Sequence, residues 1–277
     1  MKKHLVTAGI ILVFLAGLSI LLYPTVASYV NSLRQSRVVS QYYRDIDNLN
    51  TLDFKDMFTA AHAYNEELRS NSNRFNFTEE QREQYMQFLN PGGRGVMGAL
   101  IINSINVKLP IYHGTDKETL QLGAGHLEGT SLPVGGESTH SVVTGHRGLP
   151  SSILLTDLDK LVIGDTFILH ILNQTLTYQI DRIIVVEPEE FEPLFIKTGE
   201  DYCTLITCTP YGINSHRLLL RGRRVDTEQG VRVYIPEPDA AAIRPQLVAL
   251  IILIPVFIAV TAVLIIRLIK LNRKGRM

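Results

Sequence analysis

At 277 residues, with 27 acidic and 27 basic side chains and a mean hydropathy of +0.11, the chain has room for one or two domains and carries no net charge. That balance argues against a nucleic-acid partner, and the sequence has no phosphate-binding glycine loop, no dinucleotide fingerprint and no paired Cys-x-x-Cys. The two cysteines, Cys203 and Cys208, fall in one expected strand on opposite faces, so no disulfide is expected and the fold must rest on its own core.

In chain order, Met1-Lys2-Lys3-His4 is a short basic start, and residues 5–22 are almost wholly apolar. That is near the minimum for a membrane-spanning helix. The rival reading is a cleaved signal peptide, with Thr25-Val26-Ala27 as a small-residue cleavage site. The length of the run favours a retained anchor. Three helices are expected next, over 25–48, 54–69 and 79–89. Thr78-Glu79-Glu80-Gln81 reads as a capping box that opens the third, and Asn90-Pro91-Gly92-Gly93 stops it.

From residue 96 the period changes. Strands are expected over 97–102, 107–111, 141–144, 166–172, 175–186, 202–207 and 216–225, with short helices near 117–122 and 151–158. Many strands with few helices imply a mainly β domain, with a closed or nearly closed antiparallel sheet. Spacing alone does not separate a barrel from a sandwich. A second apolar run, 247–266, contains Pro255 and is followed by Arg267, Lys270, Arg273, Lys274 and Arg276. A basic flank belongs in the cytoplasm, as do Lys2 and Lys3, so everything between the two runs is expected outside.

The chemistry concentrates in 202–224. Thr209-Pro210-Tyr211-Gly212-Ile213-Asn214-Ser215 is turn material between two strands, so the chain folds back and brings Cys208 near Arg217. A guanidinium beside a thiol favours the thiolate. Alone, such a cysteine reads as a small buried hydrophobe and such an arginine as a solvated charge. The polar setting of Thr207 and Thr209 raises the reading of a nucleophile. An attacked amide needs an acid for its leaving amine, and histidine is the usual one near neutral pH. Of eight histidines, His4, His62, His113 and His170 read as surface or satisfied polar residues; His126, His140, His146 and His216 are better placed, with His140 and His216 read as structural. His146 stands between Gly145 and Arg147-Gly148, where glycines permit an exposed, unusual backbone.

The run Thr204-Leu205-Ile206-Thr207-Cys208 followed by Arg217 resembles the signature of sortases, the cysteine transpeptidases of Gram-positive surfaces. Thr207 to Leu219 as a whole is similar to the class C, pilin-polymerising branch. The similarity extends through Gly145-His146-Arg147-Gly148-Leu149-Pro150 and Gly125-His126-Leu127-Glu128-Gly129-Thr130-Ser131-Leu132-Pro133, covering roughly 96–225. The resemblance implies an eight-stranded β-barrel with N-terminal helices and two flanking transmembrane helices. It implies catalysis by Cys208, His146 and Arg217, with Thr207 beside the bound peptide. No metal or cofactor is expected. The implied partners are the membrane and pilin subunits bearing a Leu-Pro-x-Thr-Gly-like sorting signal. The implied organisation is an anchor or signal segment at 1–24, a helical membrane-proximal region and candidate lid at 25–95, and the barrel at 96–236. A linker at 237–246, a spanning helix at 247–266 and a basic tail at 267–277 follow.

One departure stands out. Pilin-polymerising members often carry an Asp-Pro-aromatic tripeptide in a lid before the barrel, and this chain has no proline between Pro24 and Pro91. Residues 73–77 take that place, with Phe75 and Phe77 as aromatics that either plug a groove or pack helices. A cysteine hydrolase, a wall-anchoring sortase and a non-catalytic pilus scaffold remain alternatives. A Cys/His metal site is the weakest, because two cysteines on opposite faces make no ligand set.

Overall fold

The computed structural model describes residues 2–71 and 73–226, and beyond them Phe257, Thr261 and Ile265. Those last three are helical, and Thr261 Oγ1 donates to the Phe257 carbonyl. The rest of the second apolar run, together with 227–246 and 267–277, lies outside the described residues.

Helix α1 spans Lys2–Asp47 without a break. The expectation of an anchor followed by a separate helix is corrected here. The polarity change near Pro24 marks a change of surroundings, and no capping residue ends the helix there. Its first part is long and apolar enough to cross a membrane. Its second part packs on the barrel through Gln35, Val39, Tyr42 and Ile46, which recur at helical spacing and are buried. The Tyr42 hydroxyl donates to the Met97 carbonyl at 2.8 Å and accepts from the Leu172 N–H at 2.7 Å.

Helix α2 (Thr51–Ser70) opens on Asn50, whose side chain accepts from Leu52 N and Asp53 N while Asp53 caps the Asn50 N–H. Helix α3 (Glu79–Tyr85) opens on the Thr78/Gln81 capping box expected from sequence, but ends four residues short of the expected stop. Both helices are tied down by buried polar side chains. Asn65 of α2 donates to the Leu132 carbonyl at 3.1 Å and accepts from its N–H at 2.7 Å. Replacing Asn65 by Ala would orphan both Leu132 groups in the interior. We expect a loss of about 2–4 kcal/mol, read as a lower denaturant midpoint.

The barrel follows. Its strands are β1 (Val96–Ile102), β2 (Val107–His113), β3 (Ala124–His126), β4 (Thr139–Thr144), β5 (Thr166–Ile171), β6 (Gln174–Val186), β7 (Asp201–Thr209) and β8 (His216–Val225), with helix α4 (Lys117–Leu122) before β3. These eight, among the described residues, close in the order β1-β2-β3-β4-β7-β8-β6-β5. The pairs β2–β3 and β4–β7 are parallel and the others antiparallel. Strand β3 was not anticipated. It is three residues of Ala, Gly and His, with no β-branched side chain to signal it. The helix expected near 151–158 is replaced by turns and a 3-10 turn at Leu158–Lys160. There Leu154, Leu155 and Leu158 all enter the core, and the Leu155 N–H bonds to the His146 carbonyl instead of to a helical neighbour.

Several histidines are interior groups. His113 is buried and hydrogen-bonded to the Gly95 and Phe88 carbonyls. His170 is half-buried, and its Nδ1 is buried with no hydrogen-bond partner among the described residues, so it is not the surface or satisfied residue expected. His126 sits between the Tyr85 hydroxyl and the Ser131 carbonyl, which ties α3 to β3. His140 bonds to Thr204 Oγ1 and the Phe195 carbonyl. Burial lowers both His126 and His140 from 6.5 to about 4. The unfolded chain therefore takes these protons near pH 6.5 and the folded chain only near 4. Stability is lost as pH falls through that window, by on the order of 3 kcal/mol per residue. Glu128 and Asp201, raised by burial, push the other way. The contribution of the histidines is isolated by comparison. Between pH 7 and 4, His126→Gln and His140→Gln should each lose less of their own stability than the parent chain does.

Candidate active site

Strand β7 lies between β4 and β8, and its inner and outer faces differ. Cys203 and Leu205 point into the core and Thr207 is buried with them. Thr204, Ile206 and Cys208 form the outward row. Both cysteines are free, Cys203 buried and Cys208 half-buried. Burial pushes the Cys203 thiol well up, so it stays a neutral core side chain.

Cys208 is directly opposite Arg217 in the antiparallel β7–β8 pairing. On the other side of β7, Thr144 of β4 is level with Ile206 in parallel register. Gly145 N and Thr144 Oγ1 both donate to the Ile206 carbonyl, at 3.1 and 3.2 Å. His146 is the next residue, so it leaves β4 beside the end of β7. Adjacent strands are about 4.8 Å apart. Cys208 on β7, Arg217 on β8 and His146 in the turn just after β4 therefore share one end of the barrel.

The turn bearing His146 is fixed from several sides. A Cβ on Gly145 would meet the Leu155 side chain at 2.9 Å, so only glycine lets that leucine close the barrel end here. Gly148 has φ +77, in the left-handed region, and lies against the Tyr211 ring. Arg147 pairs with Asp159 and lies over the same ring. The Thr207 hydroxyl donates to the Gly145 carbonyl at 2.8 Å, which ties β7 to this turn. Partial burial lowers the His146 pKa from its usual value, so neutral imidazole is favoured near pH 7. Arg217 Nη1 donates to the carbonyls of Asn214 and His216 at 3.3 and 3.1 Å, which orients the guanidinium along the turn.

The outward row packs into a second apolar cluster that sequence reading missed. Val142 of β4, Ile206 of β7 and Leu219 of β8 form a second buried cluster with Val186 and Leu194. Its signal was the apolar Ile206 standing between two polar residues of that row. The stretch before α3 packs near the same side. Phe75 meets the Phe191 ring at 5.2 Å, and the Arg74 guanidinium lies over Phe75 and Phe195. Phe77 packs edge-on against Tyr85. A cavity of about 350 Å³ lies elsewhere, between α2 and α3, lined by Tyr64, Arg74 and Phe88 among others.

A sortase-domain family model matches residues 100–225. Sortase C1 of Streptococcus agalactiae is 46% identical with a TM-score of 0.67, over 69% of this chain and 100% of that one. A sortase C structure from Streptococcus pneumoniae, described in terms of catalysis and pilin substrate specificity, is 44% identical with a TM-score of 0.62, over 69% and 97%. Sortase C of Clostridium perfringens, solved with the C-terminal cell wall sorting motif, is 43% identical with a TM-score of 0.61, over 69% and 99%. The chain spans 47–63% of the length of curated relatives named sortase A and sortase D, at 27–30% identity. A closed eight-stranded barrel with this hairpin and these relatives defines one class of protein: the chain belongs to the sortase family of cysteine transpeptidases. Within it, the three solved structures named above are class C sortases.

Proposed function

We propose that the chain is a membrane-anchored transpeptidase that cleaves a Leu-Pro-x-Thr-Gly-like sorting signal between Thr and Gly and joins pilin subunits. The observation that carries this is the pairing of Cys208 with Arg217 beside the turn of His146, in a chain 46% identical to a class C sortase. The Cys208 thiolate attacks the threonine carbonyl, and Arg217 holds the oxygen that gains charge. His146, as imidazolium, gives its proton to the leaving glycine amine, which departs and leaves a thioester. A lysine amine of a second pilin then attacks that carbonyl and passes a proton to His146. The thiolate is released and an isopeptide bond remains. Burial of His146 makes the required imidazolium a minor form near neutral pH, so the enzyme works through a small protonated fraction.

Thr207 stands behind the scissile bond as its substrate-binding neighbour, its own proton engaged by Gly145. Helix α1 is the anchor, with the barrel outside the cell. The test is a mixture of the enzyme, a sorting-signal peptide and an amine donor, read by mass spectrometry. The expected product joins the threonine carbonyl to the amine. A product carrying only water would make the protein a hydrolase, and no cleavage at all would leave a scaffold.

A further inference from the structure

The helix that reads as the anchor is also the helix that docks the barrel. Beyond its apolar run, Tyr23 is exposed, and Val26 and Val30 continue an exposed apolar face. The first polar contact with the barrel comes at Asn31, whose Nδ2 donates to the Ser151 carbonyl at 2.8 Å. The next comes at Gln35, whose Nε2 donates to the Leu122 carbonyl and Ser152 Oγ at 3.2 and 3.3 Å. About 14 Å of helix separates Leu22 from Asn31. The lipid headgroups fill about 5–8 Å of that height. The loop holding Ser151 is thus kept within a side chain's length or two of lipid.

That loop is part of the active-site end, since it begins directly after His146-Arg147-Gly148. Gly148 in turn packs on Tyr211 of the β7–β8 turn. In that turn the N–H groups of Ile213 and Asn214 both donate to the Pro210 carbonyl, at 3.1 and 3.0 Å, and the tight turn leaves its apolar side chains outward. Tyr211 is 61% exposed and Ile213 71%. Leu122, whose carbonyl Gln35 holds, and Ile153, next to Ser152, are exposed as well. Neither 146–154 nor 208–217 contains a carboxylate, and exposed Arg34 and Arg37 lie just above Val30 on α1. Acidic residues stand nearby, Asp116 and Glu118 at the start of α4 and Glu187, Glu189, Glu190 and Glu192 after β6, whose last residue Val186 pairs with Arg217, so it is the apolar tips and the aromatic, not a net positive charge, that suit a phospholipid interface.

We propose that Leu122, Ile153, Tyr211 and Ile213 form a rim that rests on the bilayer crossed by α1, so that the Cys208 groove opens beside the headgroups. This rests on the reading of α1 as a membrane span. The opposite end of β7, at Asp201 and the Glu137 turn, stands roughly 20 Å further along the strand.

The chain has no tryptophan, so single introduced tryptophans report cleanly. The full-length protein would be placed in phosphatidylcholine–phosphatidylglycerol vesicles containing lipids brominated at defined depths. Val13→Trp tests the span, Ile213→Trp and Ile153→Trp the rim, and Glu137→Trp the far end. Val13→Trp should lose emission to deep bromines. The two rim variants should lose emission to shallow bromines and shift to shorter wavelength, and Glu137→Trp should do neither. Quenching at Val13 with both rim positions as unquenched as Glu137 overturns the rim and leaves the anchor. No quenching at Val13 overturns both. Equal quenching at Glu137 and Ile213 shows a barrel with no preferred face and also overturns the rim.

Discussion

Cys208→Ala should leave a folded barrel and lower transpeptidation by at least about 10⁴-fold, with no thioester trapped at any substrate concentration. The expectation of intact folding comes from position. Cys208 is on the outer row, half-buried, one residue from the strand end, and its strand pairing with Arg217 runs through the backbone. Removing one sulfur there opens no core cavity. The other cysteine is the internal control. Cys203 is fully buried in the core, and its thiol is held neutral by that burial. Cys203→Ala should therefore cost stability and leave the rate per folded molecule unchanged. Mass spectrometry of enzyme quenched during turnover checks both variants. An acyl adduct on Cys208→Ala, or ladders of joined pilin formed by it, would remove Cys208 from the nucleophile's role.

The pairing of Cys208 with Arg217 was legible because its signals are local. A Pro-Tyr-Gly-Ile-Asn-Ser stretch between a β-branched run and an alternating one reads as a hairpin, and a hairpin fixes which residues face each other, so Cys208 opposite Arg217 follows from one-dimensional reasoning. His146 was harder. Its place beside β7 depends on a parallel pairing between strands some sixty residues apart, and no local rule states that β4 lies next to β7. The motif resemblance supplied the residue, and the register then showed how the chain brings it there. The cap of α3 was readable for the same local reason as the hairpin. Strand β3 and the Leu149–Leu158 region were not. In the first, two of three side chains are too small to signal a strand. In the second, leucines at helical spacing serve a core that demands turns, and the Leu155 N–H is used by His146. The continuity of α1 was hidden by a change in composition, because sequence reports where the surroundings change more readily than where a helix ends.

Arg217→Lys should lower kcat/KM by about 10²–10³-fold, even though the charge is kept. The guanidinium is planar, and Nη1 is already engaged with the Asn214 and His216 carbonyls. That engagement turns the fork so that its remaining donors can face the neighbouring strand, where Cys208 stands directly opposite. An ammonium is a point charge on a flexible stem. It cannot hold the turn carbonyls and a developing oxyanion at once with the same geometry, so a lysine loses part of the stabilisation that exists only in the transition state. If Arg217 serves the oxyanion, the loss falls on kcat. If it grips the substrate backbone equally in ground and transition states, the loss falls on KM. Steady-state kinetics with a sorting-signal peptide separates the two. The neighbouring strand arginine provides the comparison: Arg221 is bound to Asp181 through two bonds of 2.9 and 2.8 Å, so Arg221→Lys should change the rate little. An Arg217→Lys enzyme within a few-fold of the parent would mean that charge alone suffices at this position and that the planar fork has no part in the reaction.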